Sequence, residues 1–176
     1  MRVYDKGFSL VELLIVVAIL ITLAAIAIPN LLRARMAANE ASAVGSLRAI
    51  DSAATLYQAT WANGYPPSLS ALGTTGTGPA TCQNADLIDS VLTSGTKSGY
   101  TFAWVKGSLK LTKTNSACKG GYGFEDGYAV TAEPISVGAT GQRAFCTDAT
   151  NVIRYATNGK AKTTKPYCSS TMLQLQ

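Results

Sequence analysis

The hydrophobic pattern of the chain begins with one continuous apolar run. Phe8 to Ile28 spans 21 residues, and only Ser9, Glu12 and Thr22 among them are polar. An α-helix of this length extends about 30 Å, which is the thickness of the hydrocarbon core of a bilayer. The run therefore predicts a transmembrane helix.

Two basic residues, Arg2 and Lys6, precede the run and predict a cytoplasmic N-terminus, with the rest of the chain beyond the membrane. The run is either a secretory signal cleaved after Ala25-Ile26-Ala27 or a helix that the mature protein retains. A carboxylate inside an apolar core costs a few kcal/mol. Because a discarded signal gains nothing from that cost, Glu12 favours the retained helix.

Beyond Pro29 the pattern changes to that of an amphipathic helix that extends to Trp61. Its apolar residues recur at steps of three and four: Val44, Leu47, Ile50, Ala54, Tyr57 and Trp61. The run Asn63-Gly64-Tyr65-Pro66-Pro67 predicts the end of the helix. A helix from Phe8 to Trp61 is about 80 Å long. Since its first half has no partner in its own chain, that half has to be buried in lipid or among neighbouring copies.

From Tyr65 the pattern is that of short elements and loops. Ser68–Leu72 predicts a single turn, and Ala85–Leu92 predicts a short helix. Strands are predicted at Tyr100–Val105, Leu109–Thr112, Tyr128–Thr131, Arg143–Cys146 and Val152–Tyr155, with hairpin turns at Gly107-Ser108 and Asp148–Asn151. The connections are short, so we expect an antiparallel sheet packed on the amphipathic helix, which is an α+β fold. Aromatic residues are expected in its core: Tyr100, Phe102, Trp104, Phe124, Tyr128, Phe145 and Tyr155.

The composition argues against an enzyme. The chain has no histidine, which excludes Ser-His and Cys-His catalysis and histidine-ligated metal sites. The carboxylates Glu125, Asp126 and Asp148 are too sparse to predict a calcium loop. We therefore expect no catalytic residue, cofactor or metal. The net charge of +5 is modest, and although lysines of the head allow contact with nucleic acid, solvated lysines that guard sheet edges are the favoured interpretation.

Four cysteines lie in the second half of the chain, beyond the predicted membrane helix: Cys82, Cys118, Cys146 and Cys168. Their even number in an oxidising compartment predicts two disulfides, for which three pairings are possible. We favour Cys82–Cys118 and Cys146–Cys168, because each closes a local loop.

The segment Lys6-Gly7-Phe8-Ser9-Leu10-Val11-Glu12-Leu13 closely resembles the processing site of type IV prepilins and the related pseudopilins. The resemblance continues through Leu14–Ile28 and Pro29-Asn30-Leu31. It implies that a membrane peptidase cuts between Gly7 and Phe8 and methylates the new amine of Phe8. Glu12 is then the fifth residue of the mature chain, where the family has its glutamate, and we expect it to pair with the Phe8 amine of a neighbouring subunit. Pro29 is expected to kink or partly melt the helix near Ala25–Pro29, where the family's filaments extend.

The head resembles long pilins from some Gram-negative groups, less sharply and in three places: Tyr65-Pro66-Pro67-Ser68-Leu69, Ser98-Gly99-Tyr100-Thr101-Phe102 and Arg143-Ala144-Phe145-Cys146-Thr147-Asp148. The resemblance implies the type IV pilin fold. Its parts are a cytoplasmic leader over residues 1–7, a long helix over 8–64 and a head over 65–176, with 8–28 in the membrane.

The resemblance implies a structural subunit that waits in the inner membrane and is then polymerised into a surface filament for adhesion, motility or DNA uptake. The implied partners are other copies of the chain, prepilin peptidase, an assembly ATPase and a platform membrane protein. Two alternatives remain open. One is the major pseudopilin of a type II secretion system, assembled in the periplasm. The other is a secreted or anchored binding domain with an ordinary signal sequence.

Overall fold

A computed structural model describes residues 8–61, 64–74, 76, 78–111, 118, 123–124 and 126–175. The chain divides into two compact units, Met1–Arg35 and Met36–Gln176. Helix α1 (Leu10–Trp61) contributes to both, so its second half belongs with the head.

The second half of α1 buries the face that the spacing predicts. Leu47, Ile50, Ala54 and Tyr57 are completely or almost completely buried, and Val44 and Trp61 pack against them. The last helical residue is Trp61, and Gly64 follows with a φ of 67°, a left-handed conformation that glycine adopts without strain. The predicted end of the helix is confirmed.

A 3₁₀ turn at Leu69–Leu72 confirms the predicted single turn, with the Ser68 side chain as its N-cap. The helix predicted over Ala85–Leu92 is wrong in most of its length, because α2 covers only Ser90–Thr93. The N–H groups of Ala85, Asp86 and Leu87 instead donate to carbonyls of the 3₁₀ turn and of the glycine that follows it. Asp86 also has a φ of 53°, which a helix does not accommodate.

The strands among the described residues of unit 36–176 form two antiparallel sheets. The strands are β1 (Thr96–Lys97), β2 (Tyr100–Lys106), β3 (Tyr128–Pro134), β4 (Ala144–Asp148), β5 (Arg154–Ala156), β6 (Thr163–Thr164), β7 (Tyr167–Cys168) and β8 (Leu173–Gln174). The main sheet has the order β1-β2-β3-β4-β5-β8, and β6 and β7 form a separate pair. The α+β prediction is confirmed.

Strand β4 is buried along its whole length because both faces of the sheet are covered. Phe145 belongs to the core that includes α1, whereas Cys146 belongs to a second cluster with Ala129, Cys168 and Met172. Successive residues of a strand point to opposite faces. The helix therefore covers one face of the sheet and the C-terminal segment covers the other.

The hairpin predicted at Gly107-Ser108 is wrong. Strand β2 pairs with β3, from Tyr100 opposite Pro134 to Lys106 opposite Tyr128. The Asp126 carboxylate accepts the N–H groups of Ser108 at 2.6 Å and Leu109 at 3.0 Å, so these residues cannot begin a strand. Of the strand predicted at Leu109–Thr112, only an isolated bridge from Lys110 to Phe124 is present among the described residues, and Thr112 lies outside them.

The other strand predictions are confirmed with shifted ends. The turn predicted at Asp148–Asn151 joins β4 to β5, and the Asp148 side chain accepts the N–H and the hydroxyl of Thr150 at 2.9 and 2.6 Å. Five of the seven predicted core aromatics are buried. Trp104 and Tyr155 are only partly buried and pack against the core.

Candidate functional site

The first unit exposes the apolar run that the sequence places in a membrane. Phe8 is 73% exposed and Leu10 77% exposed, and the strongly apolar window of α1 has none of its residues buried. Within the part of the chain that the structure describes, α1 is the one helix long and apolar enough to cross a bilayer. So much exposed apolar surface requires lipid or protein to cover it.

Glu12 lies in the first turn of α1, on this exposed surface. At the start of the helix, the N–H of Leu13 donates to the carbonyl of Ser9 at 3.2 Å. A carboxylate in the first turn is stabilised by the helix dipole. Phe8 precedes the helix, and Gly7, the predicted processing residue, lies outside the described residues.

Pro29 lies inside α1, and the residues from Ala25 to Pro29 are all helical. Of the kink or partial melting expected near this proline, the structure shows no melting of these residues, and the kink stays a prediction. Proline removes one backbone donor from the helix, but the rest of the hydrogen-bonding pattern keeps the element continuous.

Comparison with known proteins identifies this N-terminal segment. The prokaryotic N-terminal methylation motif matches residues 2–28. This N-terminal segment is similar to that of a type IV pilin. The type IV wide pilus major component PilA4 of Thermus thermophilus is 66% identical to this chain over 35 residues, which are 20% of this chain and 27% of the relative. No solved structure matches the chain.

The segment that matches the motif, residues 2–28, is called the pilin-like segment, and it contains the predicted site residues Gly7, Phe8 and Glu12. The motif matched there is one of N-terminal methylation. The cleavage after Gly7 and the methylation at Phe8 stay predictions. The chain matches only about a quarter of the length of this relative. What is said of the head is therefore based on the structure of this chain alone.

The head is attached to α1 by a buried carboxylate, which lies on the helix after the pilin-like segment. Glu40 accepts the backbone N–H groups of Gln142 and Arg143 at 2.9 and 3.0 Å, and the Arg143 guanidinium at 2.8 and 2.7 Å. Burial alone would raise the pKa of Glu40, but these backbone donors and the guanidinium lower it below its usual value. Glu40 therefore favours the ionised form and fixes the start of β4 to the helix.

A second carboxylate, Asp51, lies three helical turns further along α1 and is buried. It accepts the Tyr128 hydroxyl at 3.0 Å and the Thr147 hydroxyl at 2.6 Å. Burial raises the pKa of Asp51 to about 6, and the charge of nearby Asp148 acts in the same direction against the two hydroxyl donors. Burial and Asp51 also raise the pKa of Tyr128. Asp51 links the helix to β3 and β4 through neutral donors.

The disulfide predicted between Cys146 and Cys168 is present and joins β4 to β7. Asp148 supports the same junction, because its carboxylate accepts the N–H of Cys168 at 2.9 Å. The structure does not join Cys82 and Cys118 by a disulfide, although both are buried and their thiols share a hydrogen bond. That pairing stays a prediction.

Sequence reasoning missed Glu40, Asp51 and Arg143 as residues that hold the head on the helix. One signal was available: Glu40 and Asp51 lie near the apolar stripe of a helix, where a carboxylate is buried only if donors meet it. The donors themselves come from residues 77 to 103 positions away, so the helix sequence does not reveal them.

Proposed function

We propose that the chain is a structural subunit of a type IV pilus, processed by prepilin peptidase and polymerised from the inner membrane into a surface filament. The observation that carries the proposal is the exposed apolar helix headed by Glu12 within the methylation motif. The named pilus component with 66% identity over 35 residues supports a filament subunit. The four cysteines and the long head favour a pilus over a secretion pseudopilus. The assembly ATPase and the platform protein are proposed as partners on the same grounds.

The apolar helix gives the subunit two successive environments. Before assembly, lipid covers the exposed residues of Phe8–Ile28. In the filament, the same residues of neighbouring copies cover one another. Both environments bury the same surface, so the transfer costs little hydrophobic free energy. Pro29, where one helix hydrogen bond is missing, is the proposed place at which the helix extends under load.

The charge of Glu12 supplies the register of assembly. Cleavage after Gly7 leaves a positive amine on Phe8 of every subunit, in or near the membrane. Neither that amine nor the Glu12 carboxylate is stable alone in an apolar medium. A stagger of neighbouring helices that brings Glu12 of one copy to the Phe8 amine of the next satisfies both charges.

The first prediction concerns processing. Natively expressed protein should begin at an N-methylated Phe8, measured by intact mass and N-terminal sequencing. A chain that begins near Ile28 would identify an ordinary signal peptide, and retention of Met1 would identify a permanent anchor. Replacement of Gly7 by leucine should leave the unprocessed chain in the membrane, which separates peptidase cleavage from incidental proteolysis.

The second prediction concerns Glu12. The substitution Glu12→Gln keeps the size of the side chain and removes its charge, so we expect at least a tenfold loss of filament, roughly the effect of 1.4 kcal/mol. Filament yield is measured by shearing and immunoblotting against total subunit. Asp86→Asn is the matched control, because it removes an exposed carboxylate of the head at a left-handed position that asparagine tolerates.

Two outcomes would oppose the proposed role. Normal filament yield from Glu12→Gln would remove the charge-pairing argument. Processed subunits that form only short periplasmic assemblies at native expression, with no surface filament by electron microscopy, would favour the pseudopilin.

A further inference from the structure

Two cysteines outside the disulfide lie together inside the head. Cys82 is 8% exposed and Cys118 is completely buried. Both belong to the core that packs on α1, and their thiols share a hydrogen bond. Two sulfur atoms in contact in a buried place need no large movement of the backbone to be joined.

The two cysteines lie on parts of the head that are otherwise held separately. Cys82 lies in a turn closed by two hydrogen bonds between Thr81 and Asn84, at 2.9 and 3.0 Å. The Tyr57 hydroxyl donates to the carbonyl of Cys82 at 2.7 Å and so ties this turn to α1. Cys118 lies on the long connection between β2 and β3, which is attached elsewhere through the bridge between Tyr65 and Phe124.

We propose that Cys82 and Cys118 are an oxidative modification site, at which a disulfide fastens the connection between β2 and β3 to the turn held on α1. The two thiols together lose two protons and two electrons, and the sulfur–sulfur bond forms. The oxidant is a disulfide-bearing thiol oxidoreductase, whose own disulfide accepts both electrons and both protons and becomes two thiols. The inference rests on the proposed function to the extent that export brings the head to such an oxidant.

The burial of Cys118 determines whether the disulfide forms before or after the head has folded. The buried position of Cys118 and its contact with Cys82 raise the pKa of the Cys118 thiol to about 12. The reactive species in disulfide exchange is the thiolate, and the folded head also excludes a protein oxidant from a completely buried sulfur. The bond therefore forms while the exported head folds, before Cys118 is buried.

The test is the redox state of each cysteine in the full chain. Cells that express the protein at native level are quenched in acid and denatured, thiols are blocked with an alkylating reagent, and the chain is mapped by mass spectrometry without reduction. The expected result is no alkylated cysteine and one linked peptide pair for each of Cys82–Cys118 and Cys146–Cys168.

The Cys146–Cys168 disulfide, which is present in the structure, distinguishes failure of this inference from failure of the proposed function. If Cys82 and Cys118 are alkylated while Cys146 and Cys168 are linked, the head was exported and oxidised, so this inference is overturned and the proposed function stands. If all four are alkylated, the head never met an oxidant, and the export on which both proposals depend is overturned.

A single substitution checks that the linkage is specific. In Cys82→Ser the chain should contain one alkylated cysteine, Cys118, with Cys146–Cys168 still linked. Linkage of Cys118 to Cys146 or Cys168 in that variant would show that pairing is set by chance encounter, and would count against a preformed pair. The wild-type map does not depend on whether the variant folds.

Discussion

Replacing Glu40 by alanine should lower the free energy of unfolding of the head by about 3 kcal/mol, because it removes every acceptor from a cluster of donors. Two backbone N–H groups, of Gln142 and Arg143, lose their partner in a partly buried place. The Arg143 guanidinium, whose side chain is 40% exposed, turns to water and limits the loss. The measurement is urea unfolding of the full chain in mild detergent, followed by near-ultraviolet circular dichroism of the head aromatics.

Two further variants are compared with Glu40→Ala in the same unfolding measurement. Glu40→Gln keeps one oxygen for the two backbone N–H groups and loses the charge, so about half of the effect is expected. Lys160→Ala removes a surface ion pair with Glu133, in which the lysine is 73% exposed, and should cost less than about 1 kcal/mol. A loss from Glu40→Ala no greater than that from Lys160→Ala would contradict the role of Glu40 in holding β4 to the helix.

Asp51 should make the head less stable as the pH rises from about 4 to 6. Its pKa is raised from 3.8 to about 6 in the fold, so in that interval the folded state binds more protons than the unfolded state. Stability therefore falls as the pH rises and becomes level above about 6. The shift corresponds to at most about 3 kcal/mol between pH 4 and pH 7.

The substitution Asp51→Asn should abolish this dependence. The amide cannot ionise, its oxygen still accepts one hydroxyl, and its nitrogen donates to the oxygen of the other. The stability of the variant relative to wild type should therefore rise by about 2–3 kcal/mol from pH 4 to pH 7. Unfolding at the two pH values measures this difference, in which contributions common to both proteins cancel.

A carboxylate whose pKa is lowered by folding is the control for the pH dependence of Asp51→Asn. The N–H of Leu92 and the ammonium of Lys97 lower the pKa of Asp89, an exposed residue at the start of α2. Its charge stabilises the fold at neutral pH and that contribution is lost as the pH falls. That loss lies below about pH 4, so from pH 4 to pH 7 the stability of Asp89→Asn relative to wild type should stay nearly constant, unlike that of Asp51→Asn. A constant difference for Asp51→Asn over this range would contradict the raised pKa of the buried Asp51 carboxyl.

The elements predicted from the sequence succeeded where the pattern is local. The stripe from Leu47 to Tyr57 repeats with the period of one helix face, and those residues are buried. The prediction over Ala85–Leu92 failed because its apolar residues have a helical spacing, whereas its backbone donors are taken by the 3₁₀ turn. The Gly107-Ser108 hairpin failed for a related reason, since Asp126 captures the donors that a strand needs.

The sequence by itself determined the pilin-like segment, because a glycine, an aromatic residue, a glutamate and an apolar run form a contiguous pattern that the methylation motif matches. It also determined the amphipathic helix, whose period is written in neighbouring residues. Only the tertiary structure decided which donors meet Glu40 and Asp51, and that Cys82 reaches Cys118. These contacts join residues far apart in the chain, and their energies depend on burial, which arises only when the helix and the sheet pack together.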